Sequence, residues 1–422
     1  MLYVYRFRLY PTKEQVEFLN RQIGHCRFVY NKLLEIAKEN YERENKKWNF
    51  YEYKKLLPKL KQEFPFLKEA NSQSLQETVK WLDRAFKNFF KGLAKFPRFK
   101  SKKIINNVSI PQHFRIEGNK IKIPKLKTPI KFKKHRKIEG KIKSVSITRL
   151  PSGKFYLNVL VDREIEPLPK TENVVAIDVG LTHFCTLSTG EKIENPRHLL
   201  KTEEKLKKLQ RKLSRKVKGS KKYLKLQRRI AKLHEKVANQ RNDFLHKLSK
   251  RIIGDNQAVI VENLNIKGLL KNSNLSKHIA DASWRRFISY LEYKAKLYGR
   301  KLIKVNPFYP SSKLCSVCGY KNENLQLSDR KWKCPNCGTE HDRDYNATLN
   351  LLKEGLKHIK GSLTLRAVGL ERPELTPVER ANALVEAGSS SLRSSSHSKD
   401  FPTGFTKEQG KRELRTASYT EQ

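Results

Sequence analysis

Four of the six cysteines stand in two close pairs in the last third of the chain. Two residues separate Cys315 from Cys318 and Cys334 from Cys337, and fifteen residues lie between the pairs. Each Cys-x-x-Cys turn places two thiolates on one side of a metal, and two such turns complete the tetrahedron that zinc prefers. The spacing therefore predicts one structural zinc ion, because four thiolates leave no open position for catalysis. Redox pairing of the cysteines is the alternative.

Three acidic residues stand at the ends of predicted elements. Asp178 and Glu262 each follow a short apolar run that indicates a buried strand, and Asp344 stands at the start of a predicted helix. Carboxylates that converge repel one another and stay ionised together only if cations lie among them. Two Mg²⁺ ions there could activate water and stabilise the leaving oxygen of a phosphodiester. A solvated strand end or a helix cap is the ordinary alternative, and Asp342 competes with Asp344 for the third role.

The charge of the chain indicates a polyanionic partner. Its 422 residues include 90 Lys plus Arg against 42 Asp plus Glu, which gives a formal net charge of +48. Thermal adaptation usually adds Glu together with Lys, and here Glu does not keep pace. A nucleic acid is therefore the favoured partner.

Other composition signals concern membranes and disulfides. An anionic membrane is a weaker partner, and no apolar run approaches the ~18–20 residues that span a bilayer. The N-terminus shows no secretory signal. We expect a soluble, intracellular protein. Six cysteines do not make a disulfide framework, so Cys26 and Cys185 are predicted to be buried apolar residues.

The elements that position these side chains fall into two halves. Residues 2–10 alternate as a strand, and Thr12 then begins a helical block as N-cap with Gln15 as its capping-box partner. From about residue 97 to 162 the pattern is β, and it ends in a hairpin. The last helix of the block carries an apolar stripe that we expect to be core: Leu75, Val79, Leu82, Ala85, Phe86, Phe89 and Phe90.

The second half alternates short strands with helices. Residues 201–238 hold sixteen Lys or Arg and only three Glu, and they predict a basic helical hairpin broken near Gly219. Such an imbalance of signs favours contact with phosphates over a merely solvated face. From about residue 361 the sequence is serine-rich with few aromatic residues, which predicts a disordered tail.

Five segments occur in an order that resembles the TnpB family, the OrfB-type proteins of small insertion sequences that are related to compact type V CRISPR effectors. The resemblance covers roughly residues 1–355, and the ordered set is far more specific than any one motif. The segments are Ala176-Ile-Asp-Val-Gly-Leu181, Val261-Glu-Asn-Leu264, Pro310-Ser-Ser-Lys-Leu-Cys-Ser-Val-Cys-Gly319, Trp332-Lys-Cys-Pro-Asn-Cys-Gly338 and Asp342-Arg-Asp-Tyr-Asn-Ala347.

The resemblance implies an α+β multidomain fold. Its parts would be a wedge-like β barrel, an inserted helical recognition lobe, a RuvC-like nuclease domain of RNase H type, an inserted zinc ribbon and the tail. The corresponding residues would be 1–10 and 96–166 for the barrel, 11–95 for the lobe, 171–310 and 339–357 for the nuclease domain, 311–338 for the ribbon and 361–422 for the tail.

The resemblance also implies an RNA-guided DNA endonuclease of a transposable element. Asp178, Glu262 and Asp344 would be the catalytic, Mg²⁺-binding acids, since the second Asp of Asp-Arg-Asp matches the family's acid. A guide RNA from the element end would pair with a double-stranded DNA target that carries a short flanking motif. The resemblance also implies a monomer with RNA and no membrane partner, located in the prokaryotic cytoplasm and associated with the nucleoid when it acts.

Contacts with nucleic acid are expected on two helical surfaces and on some aromatic rings. The motif-reading face is sought around Gln73, Gln76 and Lys80, with Arg84 nearby on the same helix. The basic hairpin offers Lys212, Arg215, Arg228 and Arg229. Candidates for stacking on bases are Tyr51, Tyr53 and Trp81, although core packing is the commoner use of a tryptophan.

Three other functions compete with this one. A guide-free RuvC-like nuclease or resolvase would share the acids but leave the first ~165 residues surplus. A non-catalytic nucleic-acid-binding regulator would explain the charge and the cysteines but not the acids. A transposase of such elements would need a His-x-His metal pair, and none occurs in the chain.

Overall fold

The computed structural model describes residues 1–102, 106–326, 328–358 and 366–367, without the side chain of Lys267. In the described part of the first half, one strand leads into helices and further strands follow. The helices are α1 (Lys13–Glu44), α2 (Phe50–Glu63) and α3 (Ser72–Phe90), with a 3-10 helix at Pro65–Glu69. The strands are β1 (Leu2–Tyr10), β2 (Asn107–Ile110), β3 (Arg115–Glu117), β4 (Lys120–Lys122), β5 (Ile130–Lys133), β6 (Lys141–Arg149) and β7 (Phe155–Asp162).

These strands form one sheet in the order β2-β6-β7-β1-β5-β4-β3. β1 lies in its middle, antiparallel to β7 on one side and to β5 on the other. Tyr5, Phe7 and Leu9 of β1 are buried, as the two-residue period of strand side chains predicts. The predicted hairpin is formed by β6 and β7. The order ends at β2 and β3 among the strands described, so closure into a barrel remains a prediction.

α1 begins where the sequence predicts. Thr12 Oγ1 accepts a hydrogen bond from the backbone N–H of Gln15, and Gln15 Oε1 accepts one from the backbone N–H of Thr12 at 3.0 Å. This reciprocal pair satisfies two N–H groups that a helix start leaves open. Leu75, Val79 and Leu82 of α3 are fully buried in the core that the helices share with the sheet.

Two expectations about aromatic residues in this block are wrong. Phe90 ends α3 and is 62% exposed, because the helix runs past the core that its earlier turns cover. Tyr53 is 1% exposed and stacks on Trp48 with ring centroids 4.3 Å apart, so it is a core residue and does not offer a face to bases. Tyr51 is 72% exposed, and Trp81 is half-buried.

The second half of the chain builds another sheet, its helices and a small two-stranded module. The strands are β8 (Asn173–Val179), β9 (His183–Leu187), β10 (Lys192–Glu194), β11 (Ala258–Glu262), β12 (Lys301–Val305), β13 (Lys331–Lys333), β14 (Glu340–Asp342) and β15 (Arg366–Ala367). The helices are α4 (Leu200–Ser214), α5 (Lys221–Asp255), α6 (Ile266–Leu269), α7 (Ser273–Ala282), α8 (Trp284–Tyr298) and α9 (Arg343–Lys357).

The main sheet of the second half, called the mixed sheet below, is covered on both faces. Its order is β10-β9-β8-β11-β12, with β8, β11 and β12 parallel and β9 and β10 antiparallel. Odd-numbered residues of β8 such as Val175 pack with α5 and α8, whereas even-numbered residues such as Ala176 pack with α9. Gly355 lets α9 approach closely, because a Cβ there would lie 2.5 Å from side-chain carbons of Ile260.

One boundary differs from the expectation, and one prediction is only partly covered. The basic hairpin breaks near Gly219 as predicted, but α5 continues to Asp255, where its later turns pack on the sheet. The predicted disordered tail lies outside the described residues except for β15, which pairs in parallel with the start of β8. No helix within the described ranges combines the length and the apolar character needed to cross a membrane.

Candidate metal centres

Asp178 and Glu262 lie side by side at the C-terminal ends of two neighbouring strands of the mixed sheet, β8 and β11. β8 and β11 are parallel neighbours whose register pairs Ile177 with Val261, so the next residues of the two strands are Asp178 and Glu262. Strand side chains alternate between faces, and both acids therefore share the face of Ala176. That face is the one that α9 covers.

α9 adds the third acid, because Asp344 lies in its first turn. Burial, together with the negative charges of Glu262 and Asp344, raises the pKa of Asp178 to about 8, against smaller opposing effects of a backbone hydrogen bond and of Arg343. Burial also raises the pKa of Glu262. The three carboxyl groups thus occupy one site in which each disfavours the ionisation of Asp178.

Asp342 and Asp344, which the motif alone did not distinguish, have different surroundings. Asp342 is the N-cap of α9, where its carboxylate accepts a 3.0 Å hydrogen bond from the backbone N–H of Tyr345. The same carboxylate forms a 2.7 Å ion pair with Lys192. Asp344 instead interacts electrostatically with Asp178 and has Arg330 Nη1 3.3 Å from its Oδ1. Asp342 therefore organises the helix start, and Asp344 faces the other acids.

The acid site suits hard divalent cations. Asp and Glu oxygens are ligands that Mg²⁺ prefers, and a bound cation would relieve the repulsion that raises the pKa of Asp178. Among the described residues, only the cysteine quartet has three or more ligand atoms all within 4.8 Å of one another. The three carboxylates are spaced more widely than this.

The cysteine quartet is a compact sulfur site. Its ligand atoms all lie within 4.8 Å of one another, with 3.6 Å between the sulfurs of Cys315 and Cys337 and 3.6 Å between those of Cys318 and Cys334. Four sulfurs at ~2.3 Å from a tetrahedral zinc ion lie ~3.8 Å apart. The donor set and the spacing therefore fit zinc.

The two cysteine turns repeat one backbone geometry. The N–H of Gly319 donates to the carbonyl of Cys315 at 3.0 Å, and the N–H of Gly338 donates to the carbonyl of Cys334 at 2.9 Å. Both glycines have positive φ, +76° and +69°, which side chains with a Cβ rarely adopt. The glycine after each pair closes the turn that holds the two sulfurs together.

Polar side chains of α9 hold the first cysteine turn. Asn346 Oδ1 accepts from the backbone N–H of Ser316 at 2.8 Å, and Asn346 Nδ2 donates to the carbonyl of Leu314 at 2.6 Å. Asn350 Nδ2 also donates to Leu314 at 2.7 Å, and Lys353 Nζ donates to the carbonyl of Ser316 at 2.6 Å. The turn that supplies two sulfurs is thus fastened to the helix that begins with Asp344.

A second contact joins the same two regions. His341 is buried, lies three residues before Asp344, and has its Nε2 3.0 Å from Cys315 Sγ. Its ring also packs on Trp332, with centroids 4.8 Å apart. Sequence reasoning did not identify His341 or the polar face of α9. The signal for the latter was present, because residues 346, 350 and 353 recur at the spacing of one helix face.

The predicted nucleic-acid contacts lie on two separate surfaces. On α3, Gln73 and Gln76 are half-buried, and Gln73 Nε2 donates to Gln112 Oε1 at 2.8 Å. Lys80 is exposed and paired with Glu77, and the following basic residue of that helix, Arg84, is exposed as well. Four more exposed predicted residues belong to α4, α5 and the turn between them: Lys212, Arg215, Arg228 and Arg229.

Comparison with curated proteins identifies the family. A "Putative RNA-guided DNA endonuclease" of Streptomyces pristinaespiralis is 39% identical over 358 residues, which cover 83% of this chain and 89% of that protein. The chain belongs to the TnpB family. Another member, the "Putative RNA-guided DNA endonuclease InsQ" of Escherichia coli strain K12, is 32% identical over 84% of this chain and 92% of its own length.

Family models match three parts of this TnpB-family chain. Residues 156–273 match OrfB_IS605, described as "Probable transposase", and residues 284–351 match a Cas12f1-like TNB domain that includes the cysteine quartet. Residues 1–47 match a model described as a helix-turn-helix domain. In this chain that segment contains strand β1 and the single continuous helix α1.

One solved structure supports the fold. The chain in "Cryo-EM structure of the Cas12f1-sgRNA-target DNA complex" aligns over 81% of this chain and 83% of its own length, with a TM-score of 0.51 and 18% sequence identity. The mixed architecture of two sheets and surrounding helices is therefore shared with that protein.

Proposed function

We propose that this chain is an RNA-guided DNA endonuclease of a transposable element, which hydrolyses DNA phosphodiester bonds at Asp178, Glu262 and Asp344. The observation that carries the proposal is geometric: the register of β8 on β11 places Asp178 beside Glu262, and Asp344 lies in the first turn of the helix that covers the same face of the sheet. A protein rarely keeps three mutually repelling acids at one site without a cation to hold. The names of the two long relatives support guidance by RNA and DNA as the substrate.

Divalent cations, with Mg²⁺ as the expected ion and two as the expected number, would polarise the scissile phosphate and lower the pKa of an attacking water. The protein's contribution is to hold the ligands. Asp178 and Glu262 are anchored by buried strands, and Asp344 is anchored by α9. Arg330, beside Asp344, and Arg343, near Asp178, place positive charge where a phosphate would enter.

The rest of the fold suits a protein that leaves sequence recognition to base pairing. Such a protein needs mainly phosphate contacts, and a net charge of +48 supplies them. The mixed β8–β12 sheet would be the RuvC-like core, and the seven-stranded sheet with α1–α3 would be the wedge and recognition lobe. Gln73, Gln76 and Lys80 would read the flanking motif. The cysteine quartet would hold one structural zinc ion, and the working unit would be a monomer with its RNA.

The test begins with the chain expressed together with its native downstream DNA. RNA that copurifies is sequenced, and a duplex that matches its variable end is then offered with Mg²⁺ and with EDTA. We expect one defined RNA species and cleavage only with the metal. Asp178→Ala should keep the RNA and lose cleavage. Random RNA fragments that salt removes would overturn guidance by RNA, and cleavage by Asp178→Ala would overturn the assigned site.

A further inference from the structure

Phenylalanine rings reach the surface where α3 ends. Phe90 is 62% exposed and Phe99 is 44% exposed. Phe89 contacts both Phe90 and Phe96, with ring centroids 5.4 and 5.3 Å apart. Phe89 and Phe96 are half-buried, and Phe90 also stacks on the buried Phe86 with ring centroids 6.1 Å apart, which fixes it to the core. We call Phe89, Phe90, Phe96 and Phe99 the phenylalanine surface.

Positive charge surrounds these rings. Residues 84–102 contain seven Lys or Arg and no Asp or Glu. The ammonium group of Lys38, on α1, lies 5.6 Å from the ring centroid of Phe96 and 5.2 Å from that of Phe99. Lys91 and Lys95 are exposed in the same segment. An apolar partner would have to remove water from this excess of positive charge without supplying a counter-charge, and a second copy of the chain would bring two such segments together and repel.

A surface of exposed phenylalanine rings and lysine side chains suits a ligand that has both flat apolar faces and negative charge. Unpaired nucleotides do so, since their bases stack on aromatic side chains while their phosphates meet Lys and Arg. A base-paired duplex offers fewer free base faces, because its bases already stack on one another. We propose that the phenylalanine surface is a stacking site for unpaired nucleotides. The inference rests on the proposed function only in that the chain binds nucleic acid.

The first test needs no guide RNA. The full chain is titrated with fluorescein-labelled dodecathymidylate, with dodecauridylate and with an abasic strand of the same length, at several salt concentrations. Phe90→Ala and Phe99→Ala should each weaken binding of the two base-carrying strands roughly 5- to 150-fold per stacked base lost. The slope of log affinity against log salt should stay unchanged, because the phosphate contacts remain.

The abasic strand and a matched variant make this result decisive. The abasic strand should bind equally to the wild type and to both variants. Phe66→Ala removes a ring that is 42% exposed in the same helical block, but between Glu63 and Glu69, and should bind like the wild type. Equal losses for the abasic strand, or no loss for either base-carrying strand, would overturn the proposal.

A second measurement identifies which strand is stacked. A benzophenone amino acid replaces Phe90, and the chain purified with its own RNA is irradiated before and after target DNA is added. A crosslink to RNA before DNA is added assigns the site to the guide, and a crosslink only to DNA assigns it to an exposed DNA strand. A crosslink to a second copy of the chain would overturn the proposal. Failure of guidance by RNA leaves the oligonucleotide result intact, so the two failures are distinguishable.

Discussion

The two candidate metal centres both involve α9, which holds the first cysteine turn and carries Asp344, and they are built in opposite ways. The cysteine quartet comes from two short turns, and its sulfurs lie 3.6 Å apart in cross-turn pairs. The acid site takes its side chains from β8, β11 and α9, which are separated by about 80 residues of chain at each step. The sulfur atoms all lie within 4.8 Å of one another, whereas the three carboxylates are more widely spaced, and the charges of Glu262 and Asp344 help to raise the pKa of Asp178.

The difference teaches what each centre does. A site that is compact, fourfold and closed stabilises structure, since zinc in such a site contributes directly to folding. A site of like charges on rigid elements is poor for stability and suited to cations and phosphates. The contacts of Asn346, Asn350 and Lys353 join the first cysteine turn to the helix that carries Asp344, so we expect the cysteine centre to position that helix.

The largest effect should follow removal of a carboxylate. Asp178→Asn keeps the shape of the side chain but removes a charged oxygen ligand. Loss of an outer partner of a metal ligand typically costs about 10- to 100-fold in activity, and loss of the ligand itself should exceed that. Cleavage of a guide-matched duplex should therefore become undetectable, while zinc content stays at one ion per chain. Near-normal cleavage would contradict the assignment.

Removal of a sulfur should act on structure. Cys315→Ser deprives the quartet of one thiolate, and zinc content, measured by emission spectrometry, should fall to near zero with a loss of soluble protein. Cys26→Ala is the matched control, because Cys26 is buried in the other half of the chain and should leave zinc unchanged. A Cys315→Ser protein that retains its zinc would rule out the quartet as the site.

A smaller effect should separate the two centres. Asn346→Ala leaves the N–H of Ser316 and the carbonyl of Leu314 without that partner, at a cost of about 1–3 kcal/mol for buried groups. We expect zinc to remain, since all four sulfurs are kept, and cleavage to fall by roughly tenfold, the rate equivalent of about 1.4 kcal/mol, because α9 is less firmly held. Lys357→Ala, an exposed change on the same helix, should have no such effect. Unchanged cleavage by Asn346→Ala would show that the acid site does not depend on this contact with the cysteine turn.

The acid site also predicts a pH dependence of stability. The pKa of Asp178, about 8 in the fold, lies above the ~3.9 of an unfolded Asp, so the folded state binds the extra proton between these values. The free energy of unfolding of the protein without Mg²⁺, its zinc retained, should therefore fall as pH rises through this window. Thermal melts should show Asp178→Asn gaining stability over the wild type from about pH 4 to pH 8, with Mg²⁺ stabilising only the wild type. A difference in melting temperature between the two proteins that does not change with pH would contradict burial and neighbouring charge as the cause of the raised pKa.

The smallest effect should follow the loss of the ion pair made by Asp342, the other aspartate of the motif. Lys192→Ala removes the 2.7 Å ion pair with Asp342, but the cap hydrogen bond to Tyr345 remains. Partly exposed ion pairs contribute about 0–1 kcal/mol, so melting should shift by a few degrees at most and cleavage should change little. A loss as large as that of Asp178→Asn would mean that Asp342, not Asp344, belongs to the acid site.

The sequence alone predicted the features that depend on residues close together in the chain. The cysteine spacing, the Thr12 capping box and the strand β1 depend on residues within a few positions of one another, and each is present as predicted. The ordered motifs also led to the correct family. A turn or a cap is determined by its own residues, because its hydrogen bonds close within one turn of chain.

Only the tertiary structure decided how distant segments meet. The register of β8 on β11 places Asp178 beside Glu262, and the cap at Asp342 directs Asp344 toward them. The exposure of Phe90 depends on where the core ends, since its helical periodicity is the same as that of the buried Phe86. Pattern identifies which residues are apolar or charged, but packing over long separations determines which of them become neighbours and which remain at the surface.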